Sequence, residues 1–271
     1  MLPFLHIGRL AIPTYGLLVA LGIYVAFRVL RADLSRRNIA LDAEAVVAAA
    51  AIAGIIGAKL YHVLETPREL ISDPVGQLLS PFGFAWLGGL LAGVGAFVYM
   101  AWHNRIPLLE LCDAAAPAAA IGYGVGRIGC LISGDGDYGT PTSLPWGMSF
   151  PNGLVPTTQR VHPTPIYEFL DSLLIFWLLW RLGAWQLQLQ RRDGRRELFG
   201  KPGVVFATYL IATGVARFLV EFIRINPRSV FGELTNAQAG SIASMAAGIA
   251  LLACAKAVEK SDSQKASSDR Q

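Results

Sequence analysis

The feature that most constrains this chain is a series of seven apolar stretches, each long enough or nearly so to cross about 30 Å of hydrocarbon at about 1.5 Å per helical residue. They run Ile12–Leu30, Ala43–Leu64, Ala85–Trp102, Leu108–Ile128, Pro165–Leu182, Pro202–Phe222 and Ala237–Ala255. A lipid-exposed segment must satisfy its own backbone hydrogen bonds, so such stretches are helical. Composition agrees: 54% of residues are apolar, 15% are charged and the mean hydropathy is +0.46, against roughly 25% charged residues in soluble domains. The sequence therefore predicts an all-α integral membrane protein with about seven transmembrane helices. The fourth stretch is the least regular, because Asp113 and Pro117 interrupt it. Met1–Arg9 lacks a basic region leading into an apolar core and a small-residue cleavage site, so the first span is expected to remain in the protein.

Basic residues set the orientation. Arg28, Arg31, Arg36 and Arg37 follow the first span, Arg105 follows the third, and Arg181, Arg191, Arg192, Arg195, Arg196 and Lys201 separate the fifth from the sixth. Loops rich in Lys and Arg stay in the cytoplasm, which places the amino terminus outside and the carboxyl terminus inside, where Lys256, Lys260 and Lys265 follow the last span. The expected organisation is one polytopic membrane domain over residues 1–258, followed by a disordered cytoplasmic tail, 259–271, rich in Ser, Lys, Asp and Gln. Two extracytoplasmic segments stand out. Residues 65–84 carry Pro67, Pro74, Pro81, Leu78 and Leu79 and suit a short interfacial helix; residues 129–163, with Trp146 and Phe150 among many Gly, Pro, Ser and Thr, suit an ordered head loop.

Charge inside this apolar frame singles out the candidate site. Ile121–Gly139 reads I-G-Y-G-V-G-R-I-G-C-L-I-S-G-D-G-D-Y-G and carries Arg127, Asp135 and Asp137 out of an apolar span. An arginine at bilayer depth costs about 2.5–3.5 kcal/mol on insertion scales and is kept where it meets an anion, a partner or water. Arg127 either snorkels to an interface or faces a ligand, and the surrounding glycines favour close backbone approach to a ligand. In the sixth span Arg217, Glu221 and Arg224 share one helical face at i, i+4 and i+7. They either close the helix end as a salt-bridge ladder or, with two arginines on one carboxylate, leave positive charge for a phosphate. Arg127 and Arg217 both fall toward the outer ends of their spans, so a phosphodiester would satisfy both.

Three further groups have two readings each. Lys59-Leu60-Tyr61-His62 ends the second span, where lysine either snorkels or joins the site. Tyr15 is an aromatic-belt residue or a site residue. His162-Pro-Thr-Pro-Ile-Tyr167-Glu168 opens the fifth span, where the prolines set the helix start and Glu168 complements the helix dipole or serves the site. Two motifs fail on context. Gly124–Gly129 matches G-x-G-x-x-G but ends an apolar span instead of joining a strand to a helix, so neither a nucleotide nor a nucleic acid is expected. Asp135-Gly-Asp137 lacks the remaining oxygens of a calcium loop, so no metal is expected. Cys112, Cys130 and Cys254 show no metal-ligand or disulfide spacing and read as packing residues.

In order along the chain, Tyr15-Gly, G-A-K-L-Y from Gly57, G-G-L from Gly88, G-R-I-G from Gly126, H-P-x-x-x-Y-E from His162 and R-x-x-x-E-x-x-R from Arg217 resemble the prolipoprotein diacylglyceryl transferases. The resemblance covers Tyr15 to Arg224. It implies a bacterial inner-membrane enzyme that moves diacylglyceryl from phosphatidylglycerol to the lipobox cysteine of a prolipoprotein signal peptide, without a cofactor. On this resemblance Arg127, Arg217 and Glu221 carry catalysis, and Tyr15, Gly88, Gly89, Arg127, Cys130, Asp135, Gly139, His162 and Tyr167 meet substrate. The chain departs from the family pattern at Leu87, where the family has histidine, at Cys130, Ser133 and Asp135, where it has two asparagines and a glutamate, and at Thr213, where it has tyrosine. One extra residue precedes Tyr138-Gly139. This is the pattern of a divergent member, which leaves His62, His162, Glu221, Asp135 or the arginine field itself to deprotonate the thiol. The alternatives are a transferase of the same fold with another lipid or thiol acceptor, and a non-catalytic protein that binds anionic phospholipid.

Overall fold

The computed structural model describes residues 1–8, 10–80, 83–193, 197–226 and 233–268. Pro81, Arg195 and Arg196, which the sequence reading used, lie outside them, as do the side chains of Lys260 and Lys265. The chain opens with an antiparallel hairpin of β1 (Phe4–Ile7) and β2 (Leu10–Pro13), then α1 (Thr14–Arg36), α2 (Ala43–Glu65), α3 (Pro67–Ser72), α4 (Pro74–Leu79), α5 (Trp86–His103) and α6 (Leu108–Ser133). A second antiparallel hairpin, β3 (Met148–Phe150) with β4 (Thr157–Val161), precedes α7 (Thr164–Asp193), α8 (Val204–Val220) and α9 (Asn236–Ser268).

The expectation of an all-α protein therefore holds for the body, with two small hairpins added. Each of the seven predicted spans falls on a helix, and four of these, Ala43–Glu65, Trp86–His103, Leu108–Ser133 and Asn236–Ala257, are long and apolar enough to cross a membrane. Val204–Val220 is apolar but shorter. The segment 65–84 forms two short helices, the second capped by Asp73, whose carboxylate accepts from Gly76 N at 2.9 Å. Helix α9 continues to Ser268, through residues whose composition predicts a disordered tail.

Cα packing divides the chain into two compact units, one of residues 1–33 and 112–271 and the other of residues 34–111. In the smaller unit α2 packs along α5 through small residues, as membrane helices do when backbones must approach closely. A Cβ at Gly88 would run into Tyr61 and the Gly57 carbonyl, and one at Gly89 would press on Gly54 and Ala58. Outward, Ile52, Ile55, Ile56 and Leu91 are exposed, and Trp86 and Trp102 stand at the two ends of α5. Large exposed apolar faces with tryptophan at both ends suit lipid and not water. Lys59 is buried; its Nζ donates to Ser80 O at 2.9 Å and lies 5.1 Å from the Phe84 ring centre, tying the 65–84 segment to α2.

In the larger unit Ala116 and Ala120 of α6, Ile175 and Leu179 of α7 and Val205 of α8 form a closed apolar core. Asp113 does not break α6 from the membrane pattern; it is a buried capping residue for α8. Its carboxylate accepts from Gly203 N, Phe206 N and Gln186 Nε2, each at 2.8 Å, and satisfies donors that a helix start leaves open. Helix α9 opens with a reciprocal cap, Thr235 N to Gln238 Oε1 and Gln238 N to Thr235 Oγ1, both 3.1 Å. Thr-x-x-Gln is a capping signal carried by the sequence itself.

Candidate active site

Three arginines from different parts of the larger unit meet three carboxylates. Glu168 sits one turn into α7, 4% exposed, and is the hub. Its carboxylate takes Arg217 Nη1 at 2.8 Å, Arg224 Nη1 at 3.3 Å, Arg127 Nε at 3.5 Å and the Tyr123 hydroxyl at 2.7 Å. Asp137, on the loop after α6, pairs one oxygen with Arg127 and the other with Arg224. Glu221 caps α8 and meets Arg217 Nη2 at 2.8 Å and Arg224 Nε at 3.8 Å, while Asn226 Nδ2 donates to its other oxygen at 2.6 Å. Arg127 also lies over the Tyr123 ring, 4.7 Å from its centre, one turn away on α6.

Local sequence explains how these groups arrive together. The i, i+4 spacing of Arg217 and Glu221 aligns them on α8, and Arg224 follows where the helix has ended and the chain turns extended. There it pairs with the head loop: Gly139 and Arg224 form an antiparallel bridge, and Thr140 N donates to Ile223 O at 2.7 Å. A Cβ at Gly139 would collide with the Ile223 carbonyl, so only glycine lets the loop lie this close. The buried Thr164 hydroxyl donates to the Asp137 carbonyl and pins that loop to the start of α7. Burial, the largest effect on Asp137, would raise its carboxyl, but Arg224 and Arg127 outweigh it and hold the group below its ordinary value.

The predicted site residues fall into four groups. Arg127, Arg217 and Glu221 belong to one network. Cys130 and Asp135 adjoin it: Cys130 is buried 3.8 Å from Arg127 Nη1 and contacts Asp135, and Asp135 accepts from Asp137 N at 3.2 Å. Burial raises the Asp135 carboxyl above its ordinary value, and among the described residues no arginine forms an ion pair with it. Tyr15, at the start of α1, lies against Gly129 beside this group. His162 and Tyr167 belong to the head. The Tyr167 hydroxyl takes Trp146 Nε1 at 2.8 Å, which leaves its own proton for His162 Nδ1 at 3.2 Å, while the His162 carbonyl accepts from Gly139 N at 2.8 Å. Gly88 and Gly89 lie in the smaller unit, where their surroundings are those of helix packing.

Two arginines on one carboxylate, as α8 and the turn after it present them, are only part of the ring. Glu168 and Asp137 bring the balance to three against three, which spacing along α8 alone has no means of revealing. Tyr123 and Asn226 are additions to the expected residues, and Arg224, expected beside Glu221, also reaches Glu168 and Asp137. The H-P-x-x-x-Y-E run held the signal for Glu168, since an acid one turn inside an apolar helix requires a partner. Cys130 Sγ and carboxylate oxygens of Asp135 and Asp137 lie within 4.8 Å of one another. Both Asp137 oxygens already face guanidinium groups, whose charge repels a cation at that point.

Apolar helices closing on a buried ring of guanidinium and carboxylate groups define an integral membrane protein with a charged interior site. The sequence model of the family described as prolipoprotein diacylglyceryl transferase matches residues 3–254. Proteins named phosphatidylglycerol–prolipoprotein diacylglyceryl transferase are similar throughout. That of Geobacter sulfurreducens is 36% identical over 230 residues, covering 82% of this chain and 81% of its own. That of Clostridium tetani is 33% identical over 241 residues, covering 87% and 90%, and that of Synechococcus elongatus 34% over 255 residues, covering 90% and 83%. The chain belongs to the prolipoprotein diacylglyceryl transferase family and is by that membership a transferase.

Proposed function

We propose that this chain transfers the diacylglyceryl group of phosphatidylglycerol to the lipobox cysteine of prolipoproteins, in the bacterial inner membrane, with seven spans, the amino terminus outside and the carboxyl terminus in the cytoplasm. The observation that carries the reading is the convergence of Arg127, Arg217 and Arg224 on Glu168. The substrate thiolate attacks the glycerol carbon next to the phosphate; a C–S bond forms, the C–O bond breaks and glycerol phosphate departs with one more negative charge than the diester carried. Oriented guanidinium groups stabilise that growing charge, the kind of electrostatic help that contributes most to such reactions. Arg127 and Arg217 grip the phosphate oxygens, Arg224 reaches them from the side where it meets Asp137, and Glu168 and Glu221 hold the planar forks in position.

The thiol, with an ordinary pKa of about 8.5, must lose its proton first. Leu87 has no group to receive it. Among the candidates, Glu221 is already engaged by two arginines and an amide. Asp135 fits better, because burial raises its carboxyl and leaves it without an arginine partner among the described residues. Arg127, near Asp135, lowers the pKa of an incoming thiol as well. Leucine at the family's histidine position, together with Cys130 and Ser133 at its asparagine positions, favours a non-catalytic lipid-binding protein.

The test is complementation of a conditional mutant lacking diacylglyceryl transferase, read as lipoprotein mass. Gain of the diacylglyceryl mass on a lipoprotein cysteine supports the reading. Unmodified lipoprotein, with the protein present in the membrane, overturns it.

A further inference from the structure

We propose that Asp137 is an internal stand-in for the substrate phosphate: its carboxylate occupies the arginines before substrate arrives and must leave them when the phosphodiester binds. This rests on the transfer reading above and adds how the site is filled and emptied. Three observations carry it. The two Asp137 oxygens take one guanidinium each, Arg127 and Arg224, which is the two-point grip that two phosphate oxygens receive from a pair of arginines. Of the three carboxylates in the ring, Asp137 has a side chain 32% exposed, whereas those of Glu168 and Glu221 are 4% and 0% exposed. Asp137 is therefore the member that water, or a lipid head group, can reach.

The third observation concerns how it is mounted. The backbone is fixed by Thr164 on the carbonyl side and by Asp135 on the amide side, so the loop keeps its place while the short side chain turns. Gly136, at φ 94°, precedes it and Gly134, at φ 60°, lies two residues further back, giving the loop the left-handed bends that carry the carboxylate toward the arginines. Glu168 and Glu221, by contrast, sit on or at the end of long helices and hold the arginines from below. A ring of three charges of each sign is neutral. Arrival of a phosphodiester adds one negative charge, which the ring accepts by turning out its exposed carboxylate. Return of that carboxylate then helps to expel the more highly charged glycerol phosphate. Asp137 is thus a competing, positioning residue and not a catalytic one.

The experiment uses the full chain purified in detergent, with glycerol phosphate and inorganic phosphate as binding probes and phosphatidylglycerol with a lipobox peptide as substrates. Asp137→Asn should bind glycerol phosphate at least about tenfold more tightly, a change of about 1.4 kcal/mol, with KM for phosphatidylglycerol and kcat both lowered as product release slows. In binding glycerol phosphate, Asp137→Glu, which keeps a competitor, should stay within about threefold of the parent, and so should Asp135→Asn, which removes a neighbouring charge that pairs with no arginine among the described residues. A merely structural Asp137 would weaken binding on removal. Unchanged or weaker binding by Asp137→Asn, in protein that melts as a folded species, overturns the proposal; equal tightening by Asp135→Asn does so too, because the effect would then be general charge. Tighter binding by Asp137→Asn without any transfer by the parent would leave the stand-in intact and remove the transferase reading. Transfer by the parent without tightening does the reverse.

Discussion

Glu168→Gln strikes the ring at its centre. The carboxylate is 4% exposed and meets Arg217, Arg224, Arg127 and Tyr123 at 2.8, 3.3, 3.5 and 2.7 Å. Glutamine keeps the length and one acceptor oxygen, but it removes the charge and turns an NH2 donor toward guanidinium donors. Removing one partner of a buried ion pair costs about 3–5 kcal/mol. The Arg127 and Arg217 side chains are 17% and 25% exposed, and water near them softens the loss, so the lower end, about 3 kcal/mol, applies. At about 2–4 °C per kcal/mol for chains of this size, the melting temperature falls by about 6–12 °C. Loss of about 2.7 kcal/mol of transition-state stabilisation, as the arginine forks lose their guide, lowers turnover about a hundredfold. Thermal melts in detergent and transfer of labelled diacylglyceryl to a lipobox peptide measure both. A variant that melts within about 2 °C of the parent and turns over within about threefold would refute the view of Glu168 as the hub.

Arg127→Ala and Arg217→Ala should each slow the same transfer at least about tenfold, with lysine restoring part of the rate because it keeps charge but not the planar fork; near-parent rates in folded protein would remove the phosphate clamp. Gly139→Ala should destabilise the pairing of the head loop with the chain after α8, seen as faster proteolysis of the head, and unchanged proteolysis would count against that pairing. For Asp135, whose folded carboxyl is raised by burial, the acid limb of kcat/KM should lie above the ordinary value of about 3.9 and vanish in Asp135→Asn along with most of the rate. A raised folded pKa contributes stability below the unfolded pKa that is lost as pH rises through the folded one, so at neutral pH Asp135→Asn should melt no lower than the parent. A reporter fused after Arg192 should read cytoplasm and one inserted near Thr157 should read the outside; opposite signals would reverse the orientation.

The helices were legible in the sequence because lipid imposes one rule on every span, and a local window of residues expresses it. Asp113 shows where that rule misleads: a charge in an apolar stretch looks like an interruption until α8, ninety residues on, supplies two backbone N–H groups for it. The head hairpin escaped because β3 and β4 are three and five residues long and pair across a Gly- and Pro-rich loop. In the site, Arg217 with Glu221 was readable from helical spacing, and Arg127 from its setting in an apolar run. Glu168 and Asp137 were visible as residues but not as partners, since the ion pairs that tie Glu168 to α6 and α8 and Asp137 to Arg224 span 41 to 87 positions of sequence. Pairing at that distance is a property of topology, not of periodicity.

The balance of charge follows from where the site lies. Guanidinium groups cannot shed their protons, so three of them among apolar helices need three negative charges whether or not a substrate is present. An enzyme for an anionic lipid has two ways to meet that need: leave the positive charge bare to water, or carry its own carboxylates and give one up. A bare triad would bind any passing phosphate and, after reaction, would hold glycerol phosphate more firmly than the diester, because the product carries the larger charge. Carrying Glu168 and Glu221 as fixed partners and Asp137 as the exposed one sets the net gain on binding near that of a single charge exchange. Binding then favours a ligand that also fills the lipid-facing surface, since the exchange of one carboxylate for one phosphate gives little by itself. The acyl chains of the substrate supply that remainder, and glycerol phosphate, which has none, departs.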